Sequence, residues 1–363
     1  MKKVLFVLIP LFAIIVIGLR PVDTSMKGDP GIQSISAITF SPDGTLFIGD
    51  SKKGEVIAIS LEPRDKKEKS EPVNISKLDE KIAGLLGTTI DKIAIQDMAV
   101  DPISRNVYFA VHAGGAPIML VVEGETITNF SLKNVTYSKM ELSELVEKDA
   151  KDGRGRSLRK WAISDLGYYN GKVMVSGLSN KEFSSTFWLI NYPFTKKQDM
   201  ASLEIYHAAH GQFETHSPIK TFTAAKINGQ HQLIASYTCT PLVLFPLDAL
   251  TEGQHTKGRT VAELGLGNSP LDMIVMEKNG ESYLIMANSS RPVMKIKFSD
   301  IESFEGSLTD PVEEFSATAG VDYISFPMVN VTQLDKLDES QFIMIQRKSN
   351  GDLDVRTAGD RWL

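Results

Sequence analysis

A chain of 363 residues with a single cysteine, Cys239, can form no intrachain disulfide, so its stability must come from a packed core. That cysteine lies too far downstream to carry a lipid near the amino terminus. Excess basic charge is also missing: 39 Lys and Arg stand against 45 Asp and Glu, a net charge of -6, which gives no support for a nucleic-acid partner. Several chemical signatures are absent. There is no GxxxxGK[ST] loop, no HExxH helix and no CxxCH haem attachment site, and Gly265-Leu266-Gly267 lacks the third glycine of a dinucleotide motif. The basic loop at 152–160, DGRGRSLRK, likewise lacks the order and the leading strand of a phosphate loop. Aromatic residues are scattered through apolar runs rather than gathered in a stripe.

One long apolar run is present. Lys2 and Lys3 precede residues 4–19, which are continuously apolar, so the segment reads as an export signal and the protein as periplasmic or secreted. The run is long for a cleaved signal, short for a spanning helix, and no small-x-small site precedes Arg20-Pro21; an uncleaved membrane anchor is the competing reading. The expected organisation is therefore a signal or anchor at 1–25 and a single folded domain at 26–363.

Within that domain one phrase recurs: apolar strand, Gly or Asn turn, second strand, polar loop, third strand. Residues 35–61 read ISAITFSPDGTLFIGDSKKGEVIAISL, and 95–122 and 270–298 repeat the order. Weaker copies fill 163–194, 217–247 and 323–355. Alternation of Ile, Val, Phe and Met with polar residues has the period of half-buried strands, and Asp43-Gly44 and Asn279-Gly280 are hairpin turns. Six such sheets arranged radially predict an all-β, six-bladed β-propeller, with seven blades as the variant count. Trp161 and Trp188 are expected to pack between blades. The charged run at 62–71 reads as a solvated loop, 140–152 as a short rim helix, and 300–320 as an acidic loop.

Residues 38–61, with the Ser-Pro-Asp-Gly turn and the Gly49-Asp50 that ends the second strand, resemble blades of the NHL, SMP-30 and strictosidine-synthase-like propellers. The resemblance implies a fold and not a function, since that architecture hosts hydrolases, lyases, oxidoreductases and binding modules.

In a propeller, the loop entering each inner strand and the loop joining its second and third strands open on one face. Asp97, Asp165, Asn268 and Asp272 would meet His112, Cys239 and Arg291 there. The densest cluster is 206–218, YHAAHGQFETHSP, which holds His207, His210, Glu214 and His216. Imidazole with carboxylate suits zinc, copper or iron, so those four, with His112, Asp97 and Asp272, are the candidate metal ligands. The competing reading is a loop whose histidines bond backbone carbonyls. Cys239 is either a nucleophile or soft ligand beside an imidazole, or a small buried hydrophobe. By resemblance to SMP-30-like hydrolases, Asp97, Asp165, Asp272 and Asn268 would hold calcium; a repeated Asp can equally bond backbone amides at a strand entrance.

The expected function is an exported propeller that binds a small molecule or a divalent metal at its channel mouth. In an enzymatic version Asp165, His216 and Cys239 carry the chemistry and Arg291 holds an anionic substrate. A non-catalytic module gripping a protein or peptide, and an SMP-30-like lactone or ester hydrolase, are the alternatives.

Overall fold

The computed structural model describes residues 25–363 and shows six antiparallel sheets arranged as a six-bladed β-propeller. The apolar segment read as a signal or anchor lies outside the described residues, and no described helix is long and apolar enough to cross a membrane. Numbering blades by the chain order of their innermost strands, blade 1 starts at Ala37–Phe40, blade 2 at Ile93–Val100 and blade 3 at Asp165–Tyr169. Blades 4, 5 and 6 start at Ile219–Ile227, Pro270–Lys278 and Val331–Lys336. In blades 3, 4 and 5 the first hairpin turns at Asn170-Gly171, Asn228-Gly229 and Asn279-Gly280, with positive φ at both residues. That is the turn whose twist matches two paired strands, and Asn-Gly tolerates it best.

Six apolar clusters hold the ring together, one at each junction. Phe47 and Trp188 pack between blades 1 and 3, Phe187 and Phe222 between 3 and 4, and Leu244 and Met286 between 4 and 5. Ile285 and Phe342 join 5 to 6, Val111 and Ile345 join 6 to 2, and Ile48 and Ala110 join 2 to 1. The spatial order is thus 1, 3, 4, 5, 6, 2. Blade 2 does not sit between blades 1 and 3, although its sequence does.

The connections explain this order. After blade 1 the chain lays Asn74–Ile75 against the outer strand Leu353–Gly359 of blade 6, then builds blade 2 beside it. It then returns through Val135–Glu141 to pair with Glu55–Ser60 of blade 1. This strand replaces the start of the rim helix expected over 140–152: Met140 faces the core between blades 1 and 3, and the rest of the segment is loop with isolated bridges at Leu145 and Lys151. Two other expectations are also corrected. The 300–320 region opens with a short helix, Phe298–Ser303, whose Phe298 and Ile301 are buried. The sixth blade begins at Val331, because Ile324–Ser325 is the outer strand of blade 5. The run at 62–71 is loop, tethered where Arg64 pairs with the buried Asp101.

Candidate metal centre and channel

A β-bulge at the entrance of the inner strands shapes the channel. In blades 2, 4, 5 and 6 the register slips by one residue, between Ile95 and Asp97, Ile219 and Thr221, Pro270 and Asp272, and Val331 and Gln333. The extra residue kinks the strand and re-aims its neighbour. Three acidic blades alternate around the ring with three receiving blades. In each acidic blade, one carboxylate oxygen accepts the next residue's N–H and the other accepts an N–H of the neighbouring blade. Asp97 bonds Met98 and Ile38, Asp165 bonds Leu166 and Phe222, and Asp272 bonds Met273 and Leu334. The interblade bonds measure 2.7, 3.0 and 2.7 Å. Asp335, further along blade 6, does the same for Lys336 and Val100.

Asp97, Asp165 and Asp272 surround a constriction of about 20 Å³ that also touches Gln96, Lys220 and Gln333. A cavity of about 280 Å³ continues from them down the channel. With its amide turned so that the nitrogen faces the acids, the orientation that satisfies both ends, Gln333 donates to Asp272 Oδ2 at 3.1 Å and Asp97 Oδ1 at 3.0 Å. Burial pushes the Asp97 carboxyl up to about 6 against its backbone bonds, and Asp165 up to about 7 with the charge of Asp97 adding to burial. Burial lifts Asp335 to about 7 and holds Asp272 well above the usual carboxylate range. The oxygens of these aspartates are therefore occupied as staples between blades.

The histidine-rich segment forms a second centre, off the channel, between blades 3 and 4. His207 ends the strand Gln198–His207, the turn at His210-Gly211 reverses the chain, and Glu214 ends the short paired strand Gln212–Glu214. Cys239 arrives from the loop joining Gln230–Tyr237 to Pro241–Pro246 in blade 4. Ligand atoms of His207, His210 and Cys239 all lie within 4.8 Å of one another. The imidazoles are 3.9 Å apart between ring centres. Glu214 Oε1 lies 2.5 Å from His210 Nδ1, so Nδ1–H donates to the carboxylate and the lone pair of Nε2 is left for a metal.

His207 is fully buried, yet neither of its ring nitrogens makes a hydrogen bond of normal geometry. Glu214 Oε1 is 3.2 Å from Nδ1 and Glu263 Oε2 is 3.7 Å from Nε2. Glu263 is itself held by Thr240 and by the N–H groups of Ala209 and Gly265. Burial alone would lower the His207 imidazole, but Cys239 and Glu214 outweigh it and lift it to about 9. The two histidines in turn overcome burial at Glu214 and bring it down to about 2. Glu214 and Cys239 thus favour a positive charge at His207.

The residues singled out from sequence are distributed over five places. Asp97, Asp165 and Asp272 converge in the channel, joined by Asp335. His207, His210, Glu214 and Cys239 converge between blades 3 and 4. His112 accepts the N–H of Ile35 at 3.1 Å beside a separate mouth cavity, and burial together with Lys52 lowers its affinity for a proton. His216 is exposed and meets Ser184 Oγ at 3.3 Å, and Arg291 is tied to Ser316 and to the Tyr323 hydroxyl. Neither His216 nor Arg291 lines a channel cavity with Asp165. Asn268 bonds Asn288 and Ser290 rather than the channel aspartates. Sequence reasoning missed Asp335, Glu263, Lys220 and Gln333. Asp335 escaped because it lies two residues beyond the bulge position occupied by Asp97, Asp272 and Gln333 in their blades.

No family model matches the sequence, and no curated protein matches it. The likeness of single blades to the NHL, SMP-30 and strictosidine-synthase-like group thus stands at the level of the fold. Among solved structures, the chain is similar to the β-propeller domain of Myceliophteria thermophila Cps50 (Swd1), at 9% identity, TM-score 0.38, covering 90% of this chain and 83% of that one. It is also similar to extracellular domains 1-2 of Drosophila Semaphorin 1b, at 10% identity, TM-score 0.42, covering 90% and 87%. A chain of the Mitotic Checkpoint Complex gives 9% identity and TM-score 0.34 over 99% of both chains. Likenesses this slight carry no argument about kinship or activity. Fold and site define a six-bladed propeller carrying a His/His/Cys cluster capable of coordinating a metal.

Proposed function

We propose that the protein binds a divalent transition metal, zinc by preference, through His207, His210 and Cys239. The supporting observation is the buried His207, whose two nitrogens have no proper hydrogen bond while a second imidazole and a thiol converge on it. A buried imidazole whose nitrogens lack well-formed hydrogen bonds is costly, and a cation would relieve this one. Two nitrogens, one sulfur and a nearby carboxylate match the donors that zinc prefers, whereas calcium takes oxygen ligands. Glu214 on His210 supplies the carboxylate partner that orients a ligating imidazole. Because the His210 side chain is 41% exposed, the centre has an open side. Three protein donors with one position left to solvent is the arrangement of a catalytic rather than a purely structural zinc site. This reading keeps the chain exported, as residues 4–19 suggest, and moves the working centre outward from the channel.

Elemental analysis of protein dialysed against zinc and then buffer tests it. About one ion per chain is expected, falling to background in His207→Ala and Cys239→Ala proteins with unchanged circular dichroism. Equal retention by the variants, or none by the parent, overturns the assignment. Copper would declare itself by an intense thiolate band in the visible.

A further inference from the structure

The geometry points to a second binding site, independent of the metal: a pocket at the channel mouth that takes a small organic anion, a phosphate monoester with an apolar or aromatic body. The cavity measures about 550 Å³, within the range of sites for small ligands. Lys52, Lys148, Arg159, Lys160 and Lys220 line it, and no carboxylate does, although the chain as a whole is acidic. Among the described residues none of these five cations is in an ion pair, while many other lysines on the surface are.

Arg159 is the most informative. One terminal nitrogen donates to the Val146 carbonyl at 2.6 Å and the other to the Lys52 carbonyl at 3.3 Å, yet its Nε is buried without a partner. Its side chain occupies space that a Cβ at Gly54 would intrude on, at 2.9 Å from a guanidinium nitrogen. The loop that carries it passes so close to Gly177 that a Cβ there would stand 2.1 Å from the Ala162 carbonyl oxygen. The guanidinium is thus placed by the fold beside the cavity, and its charge suits an oxyanion. Glu147 and Asp50 act on the guanidinium only through space, and among the described residues neither is in an ion pair with it; the Asp50 oxygens accept from Ser34 and from the N–H groups of Gln33, Lys52 and Lys53.

The rest of the lining fits the same ligand class. Ser36, Ser157 and Ser164 add hydroxyl groups, and Trp161 with Ile35 and Ile163 supplies an apolar wall. Lys160 stands 5.2 Å from the centre of the Trp161 ring, so charge and aromatic face are presented together. Lys220 sits at the floor, in the field of Asp97 and Asp165, and separates the acidic constriction from the basic mouth. The mouth therefore selects anions and the constriction below it repels them.

Calorimetric titration of the full chain with phenyl phosphate, inorganic phosphate and phenol tests this. Phenyl phosphate is expected to bind at millimolar affinity or better, more tightly than inorganic phosphate, with phenol silent and with affinity falling as salt rises. Lys52→Gln and Lys160→Gln, both exposed and outside the packed core, are each expected to weaken it severalfold, and Arg159→Gln about tenfold or more. Lys226→Gln, away from the cavity, leaves it unchanged. Vesicles of phosphatidic acid distinguish a free ligand from a lipid headgroup: capture by vesicles without binding of phenyl phosphate would overturn the assignment. So would absence of binding, or binding that ignores both exposed lysine substitutions. Each result is read with the metal site intact, so failure here leaves the His/His/Cys assignment untouched.

Discussion

Asp165 joins two blades with one carboxylate, and its burial in the channel has a consequence for pH. Its folded-state affinity for a proton is raised to about 7, and those of Asp97 and Asp335 to about 6 and 7, above an ordinary value of 3.8. Between those limits the unfolded chain has released protons that the folded chain keeps, so raising the pH favours unfolding. Carboxylates shifted the other way, such as Asp101 and Asp338, lose their contribution only below the usual carboxylate range and do not oppose this window. Urea midpoints are expected to fall from pH 5 to about pH 7, and Asp165→Asn to flatten the fall. A midpoint that rises through this window contradicts the assignment of the aspartates as buried staples. At the metal centre, Glu214→Gln is expected to weaken metal retention about tenfold or more without abolishing it, because it orients His210 rather than replacing a ligand; metal-competition titration measures this.

Blades were legible because their strands alternate and their turns use Asn-Gly, and the shared Asp of 97, 165 and 272 could be read from Asp-Met, Asp-Leu and Asp-Met following a short entering segment. What could not be read was which N–H groups those carboxylates accept from, since Ile38, Phe222 and Leu334 lie in other blades. Val135–Glu141 was missed for a related reason: Leu142, Leu145 and Val146 have helical spacing, and only the pairing of Val135–Glu141 with Glu55–Ser60 shows that Met140 ends a strand and turns inward. Trp188 behaved as its sequence suggests, buried between blades 1 and 3, whereas Trp161 lines the mouth cavity. Trp188→Ala is expected to cost about 3–5 kcal/mol, read from denaturant midpoints; a loss under about 1 kcal/mol would mean the blade junction is not packed as described.

The order of blades belongs to the molecule as a whole and was invisible in a linear repeat. Nothing in residues 95–122 announces that this sheet lies between blades 6 and 1, because the decision is made by Asn74–Ile75 and Val135–Glu141, one strand on either side of it. Such closure makes each junction depend on the others. Ile75→Ala, at the junction of blades 6 and 2, is expected to cost about 2–5 kcal/mol and, like Trp188→Ala, to shift one unfolding transition without splitting it. Two resolved transitions in calorimetry would show blades that unfold separately. The same ring brings Cys239 of blade 4 to the histidines that follow blade 3, a pairing that sequence distance alone could not reveal. Cobalt(II) titration of metal-free protein examines that pairing directly. The account predicts visible bands of a tetrahedral site together with a near-ultraviolet thiolate-to-cobalt band, saturating at about one equivalent, the thiolate band being lost in Cys239→Ser. Folded parent protein that gives no thiolate band, or a band that survives in Cys239→Ser, would contradict it.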